Sequence, residues 1–148
     1  MKIKETKKEI KMKTKKQKDT KYWHFYNANP KGNSTGDCVI RALATASEKS
    51  WDEVLDDLTN IAHEVKSVPN NKDCYMQYLE SLGFERCKQP RKCDNTRYRG
   101  YEFLDKIKKT DIIVCHMGTH HLTTIKNKKI WDTWDCSDDC VGIYWIKK

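Results

Sequence analysis

The spacing of apolar side chains changes near Asp111, and this change limits the folds open to the chain. Before Asp111, apolar residues recur every three to four positions in segments 38–47, 51–66 and 73–82, as amphipathic helices require. After it, apolar and β-branched residues alternate with polar ones, which is typical of strands. Helices followed by antiparallel strands predict an α+β fold, with the helices packed on one face of a single sheet.

Turn-forming and capping residues set the bounds of the predicted helices. The loop 27–37 is dense in Asn, Gly, Ser and Pro, and the helix over 38–47 follows it directly. Side chains that accept hydrogen bonds from first-turn amides precede each helix. They are Asp37 for the first helix, Ser50 with Glu53 for the second, and Asn70 or Asn71 for the third.

The last 38 residues are predicted to form four strands joined by tight turns. Their segments read "DIIVCHM", "HHLTTIK", "KIWDTWD" and "VGIYWIKK". Short joints between them favour an antiparallel meander. Upstream, "KYWHFYN" at 21–27 suits an edge strand or an aromatic strap, "FERCKQP" at 84–90 a short strand, and "YEFLDKIKK" at 101–109 a short helix.

Positive charge is concentrated at the start of the chain. Residues 1–20 carry nine Lys and three acids, so they hold +6 of the formal net charge of +8. With few apolar side chains this segment is predicted to be a disordered basic arm, and residues 21–148 to form one domain. No segment is apolar enough to span a membrane or to serve as a secretory signal, so we expect a cytoplasmic protein without a membrane partner.

The seven cysteines do not predict a disulfide framework or a metal site. Their number is odd, and in a reducing compartment most should be free and buried. Neither Cys136 with Cys140 nor Cys87 with Cys93 has the C-x-x-C spacing of a zinc knuckle. We therefore expect no metal and no cofactor, and a small zinc-bound domain is the less favoured alternative.

Cys38 is predicted to lie at the N-terminus of the first helix. The unpaired amides and partial positive charge there favour the thiolate, which is the reactive form of cysteine. A nucleophilic cysteine also needs an imidazole and a group that orients it. Both residue types occur in the hairpin segment 120–135.

The register of that hairpin selects a histidine and a carboxylate. If the turn at 127–128 pairs Ile125 with Ile130, then Thr123 faces Asp132, and His121 is the diagonal neighbour of Asp132 on the same face. The predicted triad is therefore Cys38, His121 and Asp132.

A second pair remains open as the alternative. His120 and Asp135 would oppose each other on the other face of the hairpin. His116 and His24 have no suitably placed carboxylate that the sequence identifies, so they are weaker candidates.

These residues and their order resemble the papain-like cysteine peptidases. "DTW" at 132–134 resembles the "NSW" of papain, "TGDC" at 35–38 resembles the turn before papain's nucleophile, and "GDCVIRALA" is similar to the "GNCLFRALA" of ovarian-tumour-type deubiquitinases. The resemblance implies a papain-like fold with Cys38 on its central helix. It also implies that Asp132 orients His121 and that Trp134 shields their hydrogen bond from water.

Two positions depart from those families. Papain has its oxyanion-hole Gln where this chain has Gly32, and the ovarian-tumour family has an Asp where this chain has Thr35. Asn33 is the nearest amide side chain, so it is the candidate oxyanion donor beside the Cys38 backbone N–H. The pattern resembles the minimal papain-like domains found in bacteria and their phages rather than either of these two families.

The sequence thus predicts a cysteine-dependent hydrolase that cleaves a peptide, isopeptide or related amide bond in a protein or peptide substrate through an acyl-enzyme. Acyl transfer or transglutamination with the same triad is one alternative. Another is a non-catalytic papain-like module that binds a protein or nucleic acid through residues 1–20 and the basic loop 91–99. Nucleic acid is the less favoured partner, and the oligomeric state is left open.

Overall fold

A computed structural model describes residues 19–148, which form three main helices and a six-stranded mixed sheet. The α+β class predicted from the change in period is confirmed. The predicted basic arm, apart from its last two residues, lies outside the described residues.

The three main helices match the predicted segments closely. They are α1 (Cys38–Ser47), α2 (Trp51–Val65) and α3 (Lys72–Ser81), and a short α4 (Gly100–Phe103) continues into a 3₁₀ turn at Leu104–Lys106. The Ser50 hydroxyl accepts the Glu53 N–H over 3.1 Å, and the Asn71 side chain accepts the Asp73 N–H over 3.0 Å, so both predicted caps form. Within residues 19–148 no helix combines the length and apolarity needed to cross a membrane.

The sheet is antiparallel except at one edge. Its strands are β1 (Trp23–Phe25), β2 (Phe84–Cys87), β3 (Ile113–Met117), β4 (His121–Lys126), β5 (Lys129–Asp132) and β6 (Val141–Lys147). They lie in the order β1-β5-β4-β3-β6-β2, and β1 pairs with β5 in parallel. The aromatic segment 21–27 therefore supplies an edge strand.

The prediction of a four-stranded meander is wrong in one respect. Strands β3, β4 and β5 do form a meander, but β6 pairs with β3 on its other side. The outer edge of β5 is already occupied by β1, so β6 cannot add there. This arrangement places β3 and β4 at the centre of the sheet.

Apolar side chains bury both faces of the sheet. On one face α1, α2 and α3 pack against Val114, Leu122 and Trp145. On the other, the α4 segment and Trp23 cover a second cluster that includes Ile125 and Ile130. The expectation that helices cover a single face therefore holds for α1–α3 only.

Candidate active site

The β4–β5 hairpin brings His121 and Asp132 together. Ile125 pairs with Ile130, so the predicted register is confirmed. Asn127 and Lys128 both have positive φ, which is the conformation that a two-residue turn needs to match strand twist. Nε2 of His121 consequently lies 2.5 Å from Oδ2 of Asp132.

The Asp132 carboxylate is buried and both of its oxygens accept hydrogen bonds. Besides His121, the Thr123 hydroxyl donates to Oδ2 over 2.6 Å. Arg41 Nη1 donates to Oδ1 over 3.2 Å, and the Thr133 N–H donates to Oδ1 over 2.7 Å. Burial alone would raise the pKa of Asp132, but hydrogen bonding and the charge of His121 bring it below its usual value. Asp132 is therefore ionised at neutral pH.

The imidazole of His121 is held in its charged form. Burial disfavours the charge, but hydrogen bonding with Asp132, Cys136 and Cys38 outweighs burial and raises the pKa of His121 to about 11. Because Nε2 faces Asp132, the second ring nitrogen, Nδ1, is the one left to serve a thiol.

Cys38 begins α1 and is half-buried beside the start of β4. Burial raises the pKa of its thiol, but hydrogen bonding with His121 and with the Leu122 N–H, together with the positive charge of His121 and Arg41, lowers it overall. A cysteine whose pKa is lowered by a neighbouring imidazole has the arrangement of a catalytic nucleophile and its acid–base partner.

Asp37 occupies the N-cap position of α1, but its side chain makes no capping hydrogen bond, contrary to the prediction. Its carboxylate instead accepts from Arg41 Nε over 2.9 Å, Trp51 Nε1 over 2.9 Å and Asn29 Nδ2 over 3.2 Å. These three donors supply the hydrogen bonds of the Asp37 carboxylate, so it does not turn towards the first amides of the helix. The first amides of α1, including that of Cys38, are thus left without a side-chain cap.

Trp134 and Asn33 lie at the rim of the site. The Trp134 ring centroid is 4.9 Å from that of His121, and 45% of the residue is exposed. Asn33 is exposed on the loop before Cys38. Both residues line a groove of about 860 Å³ that runs beside α1.

The competing pair of His120 and Asp135 is not assembled. Both residues are exposed, no ion pair joins them in the described part of the chain, and the Asp135 carboxylate accepts the Ser137 N–H. The predicted strand 129–135 ends at Asp132, because the Thr133 N–H turns to the Asp132 carboxylate. Asp135 is therefore not part of β5 and does not lie opposite His120.

Two of the remaining histidines, His24 and His116, bond partners outside the predicted triad. His24 does have a carboxylate partner, contrary to expectation: its Nδ1 lies 2.6 Å from Asp19 at the surface. The Tyr75 hydroxyl lies 2.9 Å from Nε2 of His116, whose pKa is lowered by burial.

Three side chains of the site were not foreseen. Arg41 had a weak signal, since it lies four residues after Asp37 on a predicted helix, and Thr123 followed from the hairpin register without being assigned a role. Cys136, only 1% exposed, has its sulfur within 4.8 Å of a ring nitrogen of His121, and nothing in the local sequence marks it. Burial raises the pKa of Cys136, so its thiol stays protonated.

His121, Asp132 and Cys136 are also of metal-ligating type, and their ligand atoms lie within 4.8 Å of one another. Both Asp132 oxygens already accept hydrogen bonds, one of them from a guanidinium. A cation would have to displace those donors, so the arrangement suits an imidazole-orienting carboxylate better than a metal ligand.

All seven cysteines are free. The expectation that most are buried is only partly met, because Cys74, Cys115 and Cys136 are buried whereas Cys93 is exposed.

Protein-family models, curated protein sequences and solved structures yield no match to this chain.

Proposed function

We propose that this chain is a cysteine-dependent hydrolase with a papain-like arrangement, which cleaves a peptide, isopeptide or related amide bond. One observation carries the proposal: the imidazole of His121 bonds a buried carboxylate through Nε2 and also lowers the pKa of the Cys38 thiol beside it. The thiol begins a helix and the imidazole begins a strand at the centre of the sheet. The papain-like peptidases have the same order along the chain: a cysteine on an early helix, then the histidine, then the residue that orients it.

The reaction would proceed in two steps. The Cys38 thiolate attacks the substrate carbonyl carbon, and the charge that develops on oxygen is stabilised by the free Cys38 N–H and by the Asn33 amide. The C–N bond then breaks as His121 gives its proton to the leaving amine. In the second step His121 takes a proton from water, which attacks the thioester; the C–S bond breaks, and the carboxylic acid leaves the Cys38 thiolate beside the imidazolium again.

Asp132 and Trp134 would act on His121 rather than on the substrate. Asp132 holds the imidazole in one tautomer and orientation, as the third member of a triad does. Trp134, whose ring centroid lies 4.9 Å from that of His121, would cover the His121–Asp132 hydrogen bond from the solvent side. Acyl transfer to an amine would use the same acyl-enzyme, with the amine replacing water.

The test uses p-nitrophenyl acetate, an acyl donor that reports the nucleophile without knowledge of the natural substrate. We expect a burst of p-nitrophenolate, an acetyl group on Cys38 by peptide mass spectrometry, and slow turnover. Cys38→Ala should abolish the burst. His121→Ala should reduce its rate at pH 6 severalfold or more, because the imidazole that lowers the pKa of the Cys38 thiol is lost.

His120→Ala is the matched control, because this neighbouring histidine is exposed and does not bond Asp132. It should leave the burst unchanged. Equal rates in both histidine variants, or acetylation spread evenly over the seven cysteines, would overturn the proposed triad. A folded wild-type protein that gives no acetyl-cysteine would favour a non-catalytic binding module.

A further inference from the structure

Arg41 bridges two buried carboxylates that belong to different parts of the site. Its Nε donates to Asp37, which directly precedes the nucleophile, and its Nη1 donates to Asp132, the partner of His121. The side chains of Asp37 and Asp132 are 5% and 3% exposed, and that of Arg41 is 15% exposed. No other cation of the described residues lies within ion-pair distance of both.

The guanidinium is suited to this bridge because it is planar and its donors point in fixed directions. Nη1 also donates to the Thr133 hydroxyl over 3.0 Å, so the arm that reaches β5 has two acceptors. With one Asp132 oxygen taken by Arg41 and Thr133, the other is left to His121 and Thr123. Arg41 therefore selects which oxygen faces the imidazole.

Arg41 also lies on the same helix as the nucleophile. It follows Cys38 by three residues, so the two side chains lie on neighbouring positions of one helix face. Any shift of α1 along the sheet would move Cys38 and the guanidinium together. The bridge thereby couples the position of the thiol to that of the Asp132–His121 pair.

We infer that Arg41 is a positioning residue, which fixes Asp132 and through it the imidazole of His121 relative to Cys38. The inference rests on the proposed function, because it assigns Arg41 to the same triad. Charged and titratable groups around Asp132 come from α1 (Arg41, with Asp37 beyond it), from β3 (Cys115), from β4 (His121) and from the segment after β5 (Cys136). Two carboxylates thus face one guanidinium and one imidazolium.

The experiment measures two properties of the full chain that need no substrate. The first is the pH midpoint of Cys38 alkylation by iodoacetamide, read by peptide mass spectrometry. The second is the proton NMR resonance of the His121 Nε2–H, which a short hydrogen bond to a carboxylate shifts strongly downfield. Arg41→Gln should raise the midpoint by about one pH unit, a tenfold loss of rate at low pH, and should abolish the downfield resonance.

Arg41→Lys separates charge from geometry. It keeps a cation near Cys38, so its midpoint should stay closer to that of wild type. An ammonium cannot hold both carboxylates in the same directions, so the resonance should still be lost or broadened. Arg86→Gln, an exposed arginine on β2, is the matched control and should change neither property.

If Arg41→Gln does not fold, Asp37→Asn replaces it, since this change weakens one arm of the bridge and leaves the cation in place. A folded Arg41→Gln or Asp37→Asn protein with wild-type midpoint and resonance would overturn the role of Arg41. The proposed function would survive that result. If instead Cys38 of wild type alkylates no faster than exposed Cys93 at pH 6, the proposed function itself fails.

Discussion

The hydroxyl of Thr123 donates to Oδ2 of Asp132 over 2.6 Å, on the same oxygen that meets the imidazole of His121. This contact follows from the hairpin register, which places Thr123 beside Asp132. The hydroxyl supplies a further hydrogen bond to the carboxylate and limits its rotation. A residue outside the triad therefore helps to orient Asp132 towards His121.

Thr123→Val should therefore weaken both the fold and the activation of Cys38. Losing a buried hydrogen bond to a charged group should lower the free energy of unfolding by about 2 kcal/mol. The pKa of Asp132 should rise, and alkylation of Cys38 at pH 6 should slow several-fold. Urea denaturation and the alkylation assay measure these two effects.

Thr124→Val is the control, because Thr124 is equally buried on β4 but donates to the Ala42 carbonyl on the opposite face. It should lose about 1 kcal/mol of stability and leave Cys38 alkylation unchanged. If the two variants slow alkylation equally, Thr123 has no specific role.

The Asp132–His121 pair predicts how stability depends on pH. The pKa of Asp132 lies below its ordinary 3.8, so its contribution is complete above pH 3.8 and is lost as the pH falls further. The pKa of His121 is raised from 6.5 to about 11, so its contribution is complete below pH 6.5 and fades as the pH rises towards 11. Both contributions are fully present between about pH 4 and pH 6.5.

Asp132→Asn should consequently be most destabilising in that window. We expect a loss of about 3 kcal/mol near pH 5.5, as for breaking a buried ion pair, and a clearly smaller loss at pH 9.5. Both proteins should carry Cys38→Ser, so that ionisation of the thiol does not contribute. Urea denaturation at the two pH values gives the comparison.

Asp57→Asn is the matched control for this pH effect. Asp57 also has a lowered pKa, but its partners are the Tyr78 hydroxyl and Lys49 rather than a histidine. The loss in free energy of unfolding caused by Asp57→Asn should not become smaller between pH 6.5 and 9.5. A constant deficit for Asp132→Asn over the same range would show that His121 is not charged in the folded protein.

The His121–Asp132 contact was predictable because it depends on local rules. A two-residue turn fixes the pairing of Ile125 with Ile130, and alternation along the strands then decides which side chains share a face. The helix bounds were equally local, since caps such as Ser50 and Asn71 act within one turn.

The features that the sequence did not predict depend on long-range packing, which no local pattern encodes. The place of β6 was set by β1, which occupies the outer edge of β5 from more than 100 residues upstream. Asp37 bonds Arg41 rather than the helix terminus because α1 packs over β4, beside the end of β5, where Asp132 supplies Arg41 with a second acceptor. Cys136 reaches His121 only because the chain turns back after Asp132.

Cys136 is predicted to be an unreactive thiol that supports His121. Its raised pKa and burial should prevent alkylation by iodoacetamide at pH 7 in the folded protein and allow it in urea. Cys136→Ala should slow Cys38 alkylation several-fold, because one hydrogen bond to the imidazole is lost. Cys136→Ser keeps a polar partner and should restore most of the rate.

Cys74→Ala is the control for the small cavity that a Cys→Ala change leaves. Cys74 is likewise buried, but it lies on α3 and its thiol donates to the Val68 carbonyl rather than serving His121. It should lose similar stability and keep the wild-type rate at Cys38. If Cys136 were labelled faster than Cys38, Cys136 would be the reactive thiol and the assignment of Cys38 as nucleophile would be wrong.

Trp134 should protect the His121–Asp132 hydrogen bond without stabilising the fold. The residue is 45% exposed, so Trp134→Ala should change the free energy of unfolding by no more than about 0.5 kcal/mol. Water would then reach the bond, and the His121 ring N–H should exchange with solvent faster, as NMR can measure. Trp134→Phe should keep the slow exchange. Trp131→Ala is the control, because it removes a ring packed on Tyr26 and His24. It should destabilise the protein and leave the exchange rate of His121 unchanged. Unchanged exchange in Trp134→Ala would mean that the ring does not shield the pair.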